Sequence, residues 1–153
     1  MKPYHATSSQ ESFMKIVYTT RASSTGGRTG QAETEDGKVA VKLSTPKAMG
    51  GDDGPGTNPE QLFAMGYSAC FLGAMKGAAR KAGKSLPEDT KVTASVSFAD
   101  REDGVGFGIV AALEATVPGW SKADVEATMK AAHDICPYSD LIRNKYDVAI
   151  KAA

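Results

Sequence analysis

The sequence predicts an α+β fold: antiparallel sheet with a long buried central helix and a second helix gathered on one face. Three observations carry that expectation. Residues Gln61 to Met75 form a 15-residue stretch without a charged side chain, and a helix-start signature stands directly before it. Short β-branched and aromatic runs flank it on both sides, divided by Asp-Gly and glycine-rich turns. Strands and helices come in blocks, as a meander, a helix, two strands, a helix and a final strand, which favours segregated layers over a wound parallel sheet. The length, 153 residues, allows one domain with a real core.

Taken in order, Ile16 to Thr20 is rich enough in β-branched and aromatic residues for a strand leading to the turn Gly26-Gly27-Arg28-Thr29-Gly30, which presents an arginine between glycines. Gln31 to Thr34 and Val39 to Leu43 flank Asp36-Gly37, a strong hairpin signal. The loop from Met49 to Thr57 ends on Asn58-Pro59. Asn at the N-cap, Pro at the first helical position and Gln61 two residues on start a helix that continues to about Ala82, with Gly83 as its stop. Because that helix is apolar nearly all round between Leu62 and Met75, sheet and a second helix or subunit must cover it. Lys91 to Ala99 and Ile109 to Val117 form a second strand pair around Asp103-Gly104. Ser121 caps a second helix to about His133, Cys136-Pro137 opens a short turn or helix, and Tyr146 to Ile150 closes the chain as a strand.

Composition narrows the function. Lys+Arg and Asp+Glu number 18 each, so the formal net charge is zero and no footprint for nucleic acid or an anionic membrane surface appears. The uncharged stretch is shorter than the roughly 20 residues that span a bilayer. Met1 to Phe13 are polar and carry no secretory apolar core, so the cytoplasm is the expected compartment, and residues 1–13 are set apart as a leader from one domain over 14–153. In that compartment the two cysteines are expected to be reduced thiols and not a structural staple.

Cys70 falls twelve residues past Asn58, about 18 Å from the positive end of its helix, where the dipole no longer lowers a thiol pKa. A reactive Cys70 therefore needs a nearby cation; an unreactive one is a small core hydrophobe. Cys136 precedes a proline at a helix end, a position expected near a surface or cleft, with helix-end packing as the alternative. Ala82-Gly83-Lys84-Ser85 resembles the tail of a phosphate loop, but its first glycine would fall on Ala78 and the segment closes a helix instead of opening one. Cys70, Cys136 and His133 lack a fourth metal ligand at a recognisable spacing, so no metal is expected.

Read together, Gly-Thr-Asn-Pro-Glu-Gln-Leu-Phe-Ala at 56–64, Gly-Tyr-Ser-Ala-Cys-Phe at 66–71 and Ile-Cys-Pro-Tyr-Ser at 135–139 closely resemble organic hydroperoxide resistance proteins, within the wider OsmC/Ohr family. Gly-Gly-Arg-x-Gly at 26–30 and Val-Lys-Leu-Ser-Thr-Pro at 41–46 extend the match. The resemblance implies an intertwined homodimer and a two-cysteine peroxidase for alkyl and fatty-acid hydroperoxides, holding no cofactor and recycled by an external dithiol, dihydrolipoamide or a lipoylated protein. It assigns Cys70 as the peroxidatic cysteine, Cys136 as the resolving one that forms the disulfide, Arg28 as the activating arginine and Glu60 as its carboxylate partner. Phe63, Tyr67 and Phe71 are candidates for an apolar substrate pocket, with plain core packing as the alternative. Asp140, Leu141 and Ile142 depart from the small polar run of the family, and Asn144 stands where glycine is expected; asparagine tolerates the left-handed turn.

Glu60 and Cys70 are ten residues apart, so on one helix they stand about 15 Å apart and cannot meet. The spacing therefore predicts that Arg28 and Glu60 serve Cys70 of a partner chain. Two competing functions stay open on sequence: a peroxidase of the OsmC branch with broader peroxide use, and a non-enzymatic lipid-binding or redox-sensing module.

Overall fold

The computed structural model describes residues 14–146 and 148–152, and its elements follow the predicted order except at the two ends. Strands β1 (Ala22–Thr25), β2 (Gln31–Thr34) and β3 (Ala40–Lys42) form an antiparallel meander in which Ala32 faces Ser24 on one side and Val41 on the other. The Asp36-Gly37 turn forms as expected. Gly37 has φ 70°, and the Asp36 carboxylate accepts from the Thr34 hydroxyl at 2.7 Å and the Lys38 N–H at 3.2 Å.

Helix α1 (Pro59–Lys81) begins where its capping residues put it, the Asn58 side chain accepting from the Gln61 N–H at 2.8 Å. It ends in a left-handed cap. Gly83 has φ 73°, the Lys84 N–H donates to the Ala79 carbonyl, and the Gly83 N–H donates to Arg80. Gly83 thus terminates a helix, as its sequence context requires, and builds no phosphate loop.

Strands β4 (Lys91–Asp100) and β5 (Phe107–Thr116) form a ten-pair antiparallel hairpin. Alternation sorts its faces: Val92 and Ala94 of β4 and Leu113 and Ala115 of β5 pack against α1, while Lys91, Thr93, Ser95 and Ser97 face outward. Helix α2 (Lys122–Ile135) starts at Ser121, whose hydroxyl accepts from the Asp124 N–H, and runs two residues past the expected end. Helix α3 (Pro137–Asn144) follows at once, with Pro137 at its first position. The core is built from Tyr67, Phe71, Met75 and Ala78 of α1 with Val117, Ala132 and Cys136. Among the described residues it draws nothing from the β1–β2–β3 sheet.

Two expected strands do not form. Ile16 to Thr20 has no regular structure, the first strand beginning only at Ala22, and Tyr146 and residues 148–150 are irregular, with Asp147 outside the described residues. A strand is stabilised only against a neighbour that takes its N–H and C=O groups, and among the described residues neither stretch has one. Their apolar side chains stand in solvent, with Val17 92% and Ile150 95% exposed. The leader, 1–13, lies outside the described residues.

Candidate active site

Arg28 is held on a single 3₁₀ turn, Gly27–Thr29, between β1 and β2. The glycines around it make that turn possible. Gly26 and Gly27 adopt φ 71° and 57°, and a side chain on Gly30 would place its Cβ 1.7 Å from the Thr25 carbonyl oxygen. The Thr45 hydroxyl donates to the Arg28 carbonyl, and Leu43 bridges Thr57, so the turn is tied to the loop that leads into α1.

The Arg28 guanidinium reaches the first turn of α1, where Nη1 and Nη2 donate to the two oxygens of Glu60 at 2.9 and 2.7 Å. The pair is partly shielded, the side chains being 35% and 12% exposed. The bidentate contact holds the Glu60 carboxyl below its ordinary range and pushes the Arg28 pKa further up, so both groups are charged at neutral pH. The guanidinium also lies over the ring of Phe98, 5.1 Å from its centroid, and Phe98 in turn stacks on Phe107. Sequence reasoning missed Phe98, because its place under Arg28 depends on how the hairpin folds beside the turn.

The two thiols meet between α1 and the α2–α3 junction. Cys70, in the middle of α1, and Cys136, at the α2–α3 junction, bring their sulfurs to 3.7 Å across 66 positions of chain. Both are free thiols. The exposures reverse the expectation for Cys136: it is fully buried, while Cys70 is partly exposed. The cause is local. Pro137 turns α3 back across α1, so the junction that looks terminal in sequence is roofed by Tyr138, whose ring lies over Gly66 so closely that a Cβ there would meet its hydroxyl at 2.6 Å.

Burial pushes the Cys70 thiol pKa up, the Tyr138 N–H lowers it by donating to the sulfur, and Cys136 raises it again. Among the described residues neither Arg28 nor another cation stands among the groups that shift it. The structure thus brings Arg28 to Glu60 and Cys70 to Cys136, and among the described residues no hydrogen bond joins the one pair to the other.

Of the three pocket candidates, Tyr67 and Phe71 are buried core residues in edge-to-face contact, and Phe63 packs half-buried against Tyr67 and Tyr138. The Tyr67 hydroxyl meets the Ser139 hydroxyl at 2.9 Å. Past Cys136 the departure at Asn144 resolves differently from expectation: Asn144 stays helical, and Lys145 takes the left-handed position at φ 50°. The Asp140 carboxylate gathers this end, accepting from the Asn144 amide and the Tyr146 hydroxyl.

An α+β chain with a thiol pair between its central helix and a helix junction, and an arginine–glutamate pair on a glycine turn, defines a narrow class. The chain belongs to the OsmC-like protein family, whose model matches residues 50–151. It is 45% identical over 139 residues to the organic hydroperoxide resistance protein of Xanthomonas axonopodis pv. citri, covering 91% of this chain and 96% of the relative. Its fold is similar to that of the organic hydroperoxide resistance protein OsmC of Legionella pneumophila, with 43% identity, a TM-score of 0.78 and coverage of 88% and 96%. The organic hydroperoxide resistance protein OhrB of Bacillus subtilis matches at 33% identity and a TM-score of 0.76, with coverage of 87% and 96%. Among the described residues no helix is long and apolar enough to cross a membrane.

Proposed function

We propose that this protein is a thiol peroxidase that reduces alkyl and fatty-acid hydroperoxides to alcohols. The observation that carries this reading is the approach of Cys70 and Cys136 to 3.7 Å, one thiol partly exposed and the other buried behind it. The Cys70 thiolate attacks one peroxide oxygen, the O–O bond breaks, and the alkoxide takes a proton and leaves as an alcohol. Cys70 becomes a sulfenic acid. The Cys136 thiol condenses with it, forming a disulfide and releasing water. An external dithiol, dihydrolipoamide or a lipoylated protein, reopens the disulfide by exchange and is itself oxidised to a cyclic disulfide.

The raised Cys70 pKa in the single chain requires a cation from elsewhere. A homodimer supplies it if Arg28, held by Glu60, reaches Cys70 of the partner subunit, giving two composite sites. Met65, Phe107 and Ile109 are exposed large apolar residues on α1 and the hairpin, which suits an interface with a second copy. In such a dimer Phe63, the half-buried member of the pocket candidates, is placed to line the substrate's apolar approach, with Tyr67 and Phe71 as the core behind it.

Loss of free thiol on adding stoichiometric tert-butyl hydroperoxide tests the reading. Wild-type protein should lose two thiols and gain a Cys70–Cys136 disulfide by mass spectrometry. Cys70→Ser should consume no peroxide, and Cys136→Ser should complete one turnover and stop at a sulfenic acid. Two thiols surviving excess peroxide, with fatty acid bound unchanged, would replace the enzyme by a binding module.

A further inference from the structure

The hydrogen bond between Tyr67 and Ser139 spans 72 positions of chain and joins the two segments that carry the thiols. Tyr67 lies three residues, nearly one helical turn, before Cys70 on α1, and Ser139 lies three residues after Cys136 on α3. We infer that Tyr67 and Ser139 are positioning residues for disulfide formation, a buried clamp that holds the α3 turn against α1 so that Cys136 captures the Cys70 sulfenic acid before a second peroxide does. The inference rests on the two-thiol function proposed above.

Several features separate this bond from ordinary core packing. It is the one fully buried side-chain hydrogen bond among the described residues, with Ser139 at 0% and Tyr67 at 4% exposure. Both residues are shielded from solvent, so each hydroxyl depends on the other for its place. Apart from the Tyr138 N–H that donates to the Cys70 sulfur, the other contacts between the first turn of α3 and α1 are apolar and less directional: the Tyr138 ring stacks on Tyr67 with centroids 5.7 Å apart and rests over Gly66. Such contacts let helices slide by fractions of an ångström, whereas a 2.9 Å hydroxyl pair fixes register.

Register matters because of a competition at one sulfur. In the productive branch, Cys70–SOH and Cys136–SH give the Cys70–Cys136 disulfide and water. In the damaging branch, Cys70–SOH and a second hydroperoxide give Cys70–SO₂H and an alcohol, which a dithiol does not reverse. The first branch is intramolecular and depends on holding the Cys136 sulfur within reach, while the second depends only on peroxide concentration. The two hydroxyls bond each other and not a sulfur, so the clamp governs the partition and not the first oxidation.

The test compares wild type, Ser139→Ala and the double variant Tyr67→Phe/Ser139→Ala. Each reduced protein meets graded tert-butyl hydroperoxide, and mass spectrometry divides Cys70 among disulfide, sulfenic and sulfinic forms. Ser139→Ala should consume the first equivalent at the wild-type rate while its sulfinic fraction rises about five-fold, the factor of one ordinary hydrogen bond. The double variant leaves no lone hydroxyl buried, so it should regain melting temperature without regaining the partition. A double variant as stable as wild type and with the wild-type partition would reduce the bond to core structure. If wild type itself forms no Cys70–Cys136 disulfide, the two-thiol function fails, and the positioning role fails with it; the wild-type sample alone separates that outcome from the other.

Discussion

Glu60 occupies the position where a carboxylate can orient a guanidinium without neutralising its use. Both its oxygens accept from Arg28, and Phe98 closes one face of the same group. The lowered Glu60 pKa fixes the sign of the pH dependence: its support for Arg28 is complete above the ordinary carboxylate range and is lost as pH falls through the lowered value. Peroxide turnover of the wild type should therefore be insensitive to this group at neutral pH and decline only in acid. Glu60→Gln keeps one acceptor but not the charge, and it should cut turnover at pH 7 by about ten-fold while abolishing that acid limb. A pH–rate profile of the two proteins checks both; an unchanged acid limb in Glu60→Gln would assign it to another group. This pair was legible in the sequence only through the resemblance of its motifs, since nothing in spacing alone joins position 28 to position 60.

At the scale of elements, the glycine turn between β1 and β2 and the start of α1 act as one unit, because the first presents Arg28 and the second presents Glu60. Gly30 is the sensitive point. Its missing Cβ leaves room for the Thr25 carbonyl, so Gly30→Ala must push the turn apart, costing about 1–3 kcal/mol. Thermal unfolding should show a fall of several degrees, and peroxide turnover should fall more than stability does, because the displaced turn carries Arg28 away from Glu60. The elements best read from sequence are those fixed by neighbours in the chain: the Asn58 cap, the Gly83 stop, the Asp36-Gly37 turn and the Ser121 cap all fall where local chemistry puts them. The terminal strands were not legible in this way. Ile16 to Thr20 and Tyr146 to Ile150 have strand composition, but a strand also needs an edge to pair with, and among the described residues none pairs with them.

For the whole molecule, the unburied surface is the decisive property. Phe107 and Ile109 on the hairpin, Met65 on α1 and the apolar residues of both terminal stretches remain exposed, more than scattered surface hydrophobics would account for. In the proposed homodimer a second copy covers them and brings Arg28 to the other chain's Cys70. Subunit mixing tests the composite site directly. Arg28→Ala and Cys70→Ser homodimers should each be inactive, whereas their hybrid should hold one intact site and recover up to half of wild-type turnover per dimer. A hybrid without activity, with exchange verified by mass, would place both residues in the same subunit's site.

The sequence by itself determined the α+β class, the extents of the long helix and of the hairpin strands to within a few residues, and the identity of the two thiols, because caps, alternation and motif blocks are properties of neighbours along the chain. Only the tertiary structure decided that Cys136 is the buried thiol and Cys70 the partly exposed one, and that Tyr67 bonds Ser139. It alone also decided that Phe98 supports Arg28. The thiol exposures and the Tyr67–Ser139 bond depend on the turn at Pro137 and on how α3 folds back over α1, where groups 66 and 72 positions apart meet, and the Phe98 contact depends on how the hairpin folds beside the glycine turn. Contacts of that separation arise from packing, and no local spacing encodes them.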